Sequence, residues 1–220
     1  MDIPKQNLQV LFRQASQETL PPGTKIIKEA APADHLYLIL QGYVGSYTSE
    51  RKSRADQADA HHLVDFVDEN GFIGLPELFL SRPHKYTYKT FGETRIVSIP
   101  AAALFAALKT DWVLLKSLLG EMSQRIHGLV HQIDSLKTQR AEQRLAAHFL
   151  ELMERQGKRR EIVLPYGKKD LADHLGLAPE SLSRALKRLK ERGVEVHGRT
   201  IIVHTRQALT DCLESARATI

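Results

Sequence analysis

Apolar residues between Pro21 and Pro100 fall in short runs at close spacing: Lys25-Ile26-Ile27, Leu36-Tyr37-Leu38-Ile39-Leu40, Val44 to Tyr47, Leu63-Val64-Asp65-Phe66-Val67, Tyr86-Thr87-Tyr88 and Arg95-Ile96-Val97-Ser98-Ile99. Turn formers separate them, at Pro21-Pro22-Gly23, Gln41-Gly42, Asn70-Gly71 and Phe91-Gly92. This rhythm predicts an antiparallel barrel or jelly roll. Thr48 to His62 is charged and poor in apolar residues, which predicts a long solvated hairpin loop.

After Pro100 the period changes. Leu115, Leu119, Met122, Ile126, Leu129, Ile133 and Leu136 are spaced alternately by four and three residues, the a/d pattern of a coiled-coil seam. A helix lying on its own barrel would show a broader stripe drifting at a period of 3.6. The chain has no second long heptad helix, so the expected partner is the same helix of another copy, in a parallel homodimer. A further helix carries Leu145, Ala146, Phe149, Leu150 and Met153 on one face and closes near Gln156-Gly157. Thr138 to Arg140 is the expected hinge.

Gly157 to Arg160 predict a basic turn and Ile162 to Pro165 a short strand. Lys168 to Leu175 then reads as a helix with Leu171, Ala172 and Leu175 inward, followed by Gly176. Ala172, Gly176 and Leu182 have the spacing of a helix-turn-helix: a small residue where two helices cross, a glycine for the tight turn, and a branched residue that seats the second helix. That second helix opens at Pro179 and carries an apolar stripe of Leu182, Ala185, Leu186 and Leu189. Its other face bears Glu180, Ser183, Arg184, Lys187, Arg188 and Glu191. A helix of this kind fits the major groove, where its first polar side chains reach base edges and its later cations reach phosphates. The expected base contacts are Glu180, Ser183 and Arg184, and the expected backbone contacts are Lys168, Lys169, Ser181, Lys187, Arg188 and Arg199. Glu180 and Arg184, one turn apart, are expected to hold each other in register. Val194-Glu195-Val196, His197-Gly198 and Thr200 to Val203 predict a hairpin wing that carries Arg199.

Charge supports this division. The 220 residues carry a formal charge of +5, yet residues 1–139 hold 15 basic against 15 acidic side chains, so the whole excess lies beyond them. A basic module joined to a neutral one suits binding to phosphate. Double-stranded DNA is the expected partner. Cys212 is the only cysteine, which excludes an intrachain disulfide and leaves an iron–sulfur cluster without ligands; it reads as a buried small residue. No apolar run approaches the ~18 residues of a membrane span, and Met1 to Gln6 has no signal core, so a cytoplasmic protein without membrane attachment is expected.

In this order the segments resemble the CRP/FNR family of bacterial regulators. Pro22 to Ile27 and Ala33 to Val44 are similar to its effector domain, the heptad helix to its dimerisation helix, and the remainder to its winged helix. The resemblance implies an α+β fold: an antiparallel β jelly-roll barrel (1–108), a long dimerisation helix (109–139) and a winged helix-turn-helix (140–220). It also implies a transcription regulator that contacts RNA polymerase. Glu180, Ser183 and Arg184 match the Glu-x-x-Ser-Arg pattern of the FNR branch, which implies an inverted repeat of TTGAT-like half-sites. Pro179 and Ser183 stand where the cAMP-receptor branch has arginine and glycine.

Two departures concern the effector. The four cysteines of FNR-type oxygen sensors are missing. The family's cyclic-nucleotide branch binds its ligand through a Gly-Glu pair and, about ten residues on, an Arg-Ser pair; this chain has Gly74-Leu75-Pro76-Glu77 and His84-Lys85. Without a guanidinium fork the phosphate loses its two-pronged partner, so cAMP binding is not expected. Haem-dependent members of the family use an axial histidine, which singles out His84, then His35, His61 and His62. The effector pocket, if one exists, is expected around Gly74, Leu75, Glu77, His84 and Lys85. No histidine and carboxylate triad is spaced for a metal site, which disfavours both a metal and a cupin-like barrel enzyme.

Overall fold

The computed structural model describes residues 14–49, 61–157 and 160–214. Two compact units divide the chain, residues 1–126 and 127–220.

The first unit contains β1 (Ser16–Leu20), β2 (Lys25–Ile27), β3 (His35–Gln41), β4 (Val44–Ser49), β5 (His61–Val67), β6 (Phe72–Ile73), α1 (Leu75–Leu80), β7 (Thr87–Thr90), β8 (Thr94–Pro100) and α2 (Ala101–Leu108). Its strands form two antiparallel sheets, ordered β1-β8-β3-β6 and β2-β7-β4-β5. This is the expected jelly roll. The run Leu36 to Leu40 is continuously apolar because β3 is covered on both faces. Leu36, Leu38 and Leu40 join the cluster formed with α1 and α2, while Tyr37 and Ile39 join the one containing Val44, Tyr88 and Ile96. Side chains that alternate along a strand thus serve two different cores.

Four elements lie outside the expected set. Strand β1 (Ser16–Leu20) is mostly exposed and is held by backbone pairing to β8 and a 2.9 Å Ser16–Ser98 hydroxyl bond, so no apolar alternation marks it. Strand β6 has only two residues. Helix α1 starts immediately after Gly74 with Pro76 in its first turn, and α2 is an alanine-rich helix following Pro100. The loop expected from Thr48 to His62 is shorter than its composition suggests. Thr48 and Ser49 pair with His62 and His61 in the β4–β5 ladder, so these histidines are strand residues; residues 50–60 lie outside the described residues. Lys158 and Arg159 of the expected basic turn also lie outside them.

Helix α3 (Trp112–Thr138) runs across the division between the units. Its N-terminal part resolves the two readings of its apolar pattern. Leu114 and Leu118 are buried against the α1–α2 cluster, and Met122, half-buried, packs there too, so this part of the helix meets its own barrel. The arginine of Arg125 also pairs with Asp65 on β5. Farther along, Leu119, Ile126, Leu129, Ile133 and Leu136 are between 43 and 61% exposed. A stripe of large apolar residues at heptad spacing stands uncovered in the protomer.

The second unit continues with α4 (Ala141–Arg155), β9 (Glu161–Val163), α5 (Lys168–His174), α6 (Pro179–Glu191), β10 (Val194–His197), β11 (Thr200–Val203) and α7 (Arg206–Glu214). The chain breaks helix at Gln139 and Arg140, where the Gln143 side chain accepts from the Arg140 amide at 2.8 Å. Leu145, Ala146, Phe149, Leu152 and Met153 bury the inner face of α4, while Leu150 is half-buried. The sheet order is β10-β11-β9. No helix among the described residues is long and apolar enough to cross a membrane.

Candidate nucleic-acid interface

Helices α5 and α6 meet at a turn built on Gly176. Its φ of +59° is the left-handed conformation that side chains disfavour, and a Cβ there would stand 3.0 Å from Leu136 Cδ2. Leu136, the last heptad position, thus has a contact inside its own unit. Leu171 and Ala172 are buried beneath the turn, and the Leu177 amide donates to the Ala172 carbonyl at 2.8 Å. Gly176→Ala is expected to lower the stability of this unit by about 1–3 kcal/mol, combining the φ penalty with the displaced leucine, as read by chemical denaturation. An unchanged midpoint would mean that the turn can relax.

Pro179 occupies the first turn of α6, where its missing N–H costs no intrahelical bond. Leu182, Ala185 and Leu189 are buried, Leu186 is half-buried, and Glu180, Ser183, Arg184, Lys187 and Arg188 are exposed, as the stripe predicts. Two local pairings differ from expectation. Arg184 Nη2 donates to Oγ of the half-buried Ser181 at 3.4 Å instead of pairing with Glu180. Arg188 forms an ion pair with Glu142 of α4 at 3.1 Å, so its guanidinium is engaged within the protein. Lys168 and Lys169 lie exposed in the first turn of α5.

The wing is the β10–β11 hairpin, turned at Gly198 (φ +63°). Arg199 is exposed beside that turn and donates from Nη1 to the Pro165 carbonyl at 3.3 Å, while its own carbonyl accepts from the Leu164 amide at 2.8 Å. Residues 164–167 therefore join the wing to the start of α5 and its two lysines.

Beneath that segment lies a buried polar group. The Tyr166 hydroxyl and His148 Nε2 share a 2.6 Å hydrogen bond, and the His148 and His174 rings lie 5.1 Å apart. Burial, reinforced by repulsion from His174 and Arg155, pushes His148 down to about 3 from its ordinary 6.5. The folded unit therefore holds it neutral, while the unfolded chain takes up a proton below about 6.5. This contribution to stability is complete above that pH and is lost as pH falls from about 6.5 toward 3, at up to about 1.4 kcal/mol per pH unit. Denaturation at pH 5 against pH 7 is expected to show a loss of roughly 2 kcal/mol, most of which disappears in His148→Gln. Equal pH dependence of the two proteins would remove His148 as the cause. The signal was visible in the sequence: His148 lies between Leu145 and Leu152 on the apolar face of α4, where a polar residue needs a partner.

Cys212 is buried on α7, and its burial raises the thiol above its usual range. It is a packing residue, as expected.

The expected effector residues belong to the barrel unit and divide among different roles. Gly74 (φ +90°) precedes α1, where a Cβ would meet the His35 carbonyl at 2.9 Å and His84 Cε1 at 3.2 Å. Leu75 joins the barrel core, and Lys85 is exposed with Nζ 5.2 Å from the Tyr86 ring centre. Glu77 and His84 do meet, with Oε2 and Nδ1 4.0 Å apart and both atoms buried. Desolvation lowers the His84 pKa, against the opposing pull of Glu77 and Asp34. His35 bonds its neighbour Asp34 at 2.8 Å. Among the described residues no group of three histidine, cysteine or acidic side chains is placed to hold a metal.

Residues 17–111 match the model of the cyclic nucleotide-binding domain, and residues 143–212 that of the Crp-like helix-turn-helix domain. The chain belongs to the CRP/FNR family. Electron transport regulator A of Shewanella oneidensis is 29% identical over 196 residues, covering 85% of this chain and 74% of that protein. The nitrogen fixation regulation protein FixK of Rhizobium meliloti is 46% identical over 54 residues, 24% of this chain and 26% of its own. The structure of FixK2 from Bradyrhizobium japonicum superposes with a TM-score of 0.76 at 23% identity, over 90% of this chain and 96% of that one. This CRP/FNR protein is accordingly a DNA-binding transcription regulator, and its relatives are regulators rather than enzymes, which sets the cupin reading aside.

Proposed function

We propose that this CRP/FNR regulator works in the cytoplasm as a parallel homodimer that binds an inverted repeat of TTGAT-like half-sites and acts on RNA polymerase. The free face of α6 carries the reading: Glu180, Ser183 and Arg184 are all exposed on the first turns of a helix seated by its opposite stripe. The uncovered heptad stripe from Leu119 to Leu136 supports the pairing. Two such helices reach successive major grooves about one turn, ~34 Å, apart. Lys168, Lys169, Lys187 and Arg199 supply phosphate contacts around them.

Control enters at the barrel. Leu75 in the core and Lys85 on the surface support a barrel that does not hold cAMP through the family's usual pairs. Haem does not fit His84 as it stands. The ring is 3% exposed, packed against Gly74 and edge-on to Tyr88, and an axial ligand would have to leave that packing.

Fluorescence anisotropy with a TTGAT palindrome and a scrambled duplex at physiological salt tests the reading. Preference for the palindrome by about a thousandfold or more is expected of a specific regulator. Equal affinity for both duplexes overturns it.

A further inference from the structure

We propose that Glu142 is a positioning residue for DNA recognition: by holding Arg188 it fixes how α6 is rolled on α4 and withholds one cation from non-specific contact with phosphate. The inference rests on the DNA-binding reading above and assigns a role to a residue that cannot itself read a base. Glu142 stands in the first turn of α4, and its side chain is only 13% exposed, whereas that of Arg188 is 61% exposed. The carboxylate is thus the fixed member of the 3.1 Å pair and the guanidinium the one drawn to it. Burial of Leu182, Ala185 and Leu189 seats α6 along its inner stripe. The ion pair adds a second anchor at the edge of that stripe, and Glu180, Ser183 and Arg184 turn with the helix.

The same helix also grips α5. Arg144 Nη1 donates to the Leu175 carbonyl at 2.8 Å, at the end of α5. Positions two apart on a helix face different ways, so Glu142 and Arg144 reach the two members of the helix-turn-helix separately. Helix α4 therefore holds α5 by its last carbonyl and α6 by a charge.

The second consequence is electrostatic. Non-specific affinity rises with the number of cations free to displace counterions, and each added phosphate contact steepens the salt dependence by about 0.9 in log–log slope. Arg188 lies on the exposed cationic face beside Lys187, but Glu142 neutralises it. The pair suppresses general attraction to DNA while stabilising the orientation that reads sequence.

The test measures the full chain against the palindrome and the scrambled duplex over a salt series, for the wild type and for Glu142→Gln. The variant is expected to bind scrambled DNA several-fold more tightly, with a salt slope steeper by about 1 per protomer, and to show a smaller ratio of specific to non-specific affinity. In an Arg188→Ala background the same substitution is expected to leave scrambled binding within twofold. Scrambled affinity within twofold of wild type in Glu142→Gln, or a gain that persists without Arg188, overturns the proposal. Glu142→Asp, one methylene shorter, must shift both quantities in the same direction by a smaller amount, and it serves in place of the glutamine variant should that one fold poorly. A wild-type protein that does not prefer the palindrome defeats the TTGAT reading separately, because the Arg188-dependent gain is read on scrambled DNA.

Discussion

Arg184→Ala is expected to weaken binding to the inverted repeat by about 1–3 kcal/mol per half-site, roughly 5- to 150-fold, and to relax discrimination at one base pair. The guanidinium is exposed on the free face of α6, and its tie to Ser181 is a long 3.4 Å bond that can be given up at small cost. Released, its planar donors match guanine O6 and N7, a geometry that a truncated side chain cannot supply. Lys187→Ala provides the contrast. That ammonium is a point charge one turn nearer the end of the helix, so its loss should weaken all sequences alike and reduce the salt slope by about 1. Titrations against single-base variants of the palindrome separate the two outcomes. A uniform loss in Arg184→Ala would make it a phosphate ligand rather than a base reader.

Ile133→Glu is expected to give a protomer-sized species in sedimentation and to lower palindrome affinity by about two to four orders of magnitude, since linking two sites contributes on that scale. Ile133 is 51% exposed in the protomer, so a charge there costs the protomer's own fold little. In a dimer it would bury two unpaired carboxylates at a hydrophobic seam. Far-UV circular dichroism should therefore match the wild type while association is lost. A dimer that persists at micromolar concentration would place the interface elsewhere.

The sequence conveyed the parts of the fold that rest on repeated apolar spacing. The strands of the jelly roll, the long helix, the Ala172–Gly176–Leu182 turn and the hairpin wing all follow from side chains that must be buried at a fixed period. Strand β1 escaped because its stability comes from main-chain bonds to β8, which leave no mark in composition. Met122 has a second contact that the heptad does not announce, because its position also meets the barrel. Leu114 and Leu118 precede it at intervals of four, and only the fold shows which stripe a residue shared by both patterns joins. At the candidate site the outward residues were legible from the face they occupy. Their pairings were not. Arg184 with Ser181 and Arg188 with Glu142 depend on rotamers and on a helix 46 residues away in sequence, and spacing within α6 carries no information about either. Of the expected effector residues, spacing did not convey that Leu75 faces the barrel core and Lys85 the surface, because each depends on how α1 and the segment after it pack.

The burial of Cys212 has a practical consequence. With 1% of its surface accessible and its thiol shifted toward the protonated form, it is poorly placed to react with maleimides or oxidants in the folded protein. A single cysteine introduced on the exposed stripe of α3 would then be the one readily labelled thiol in each protomer. Fluorophores or spin labels placed there could report distances between copies in air and without reductant, on a background that needs no prior removal of native thiols.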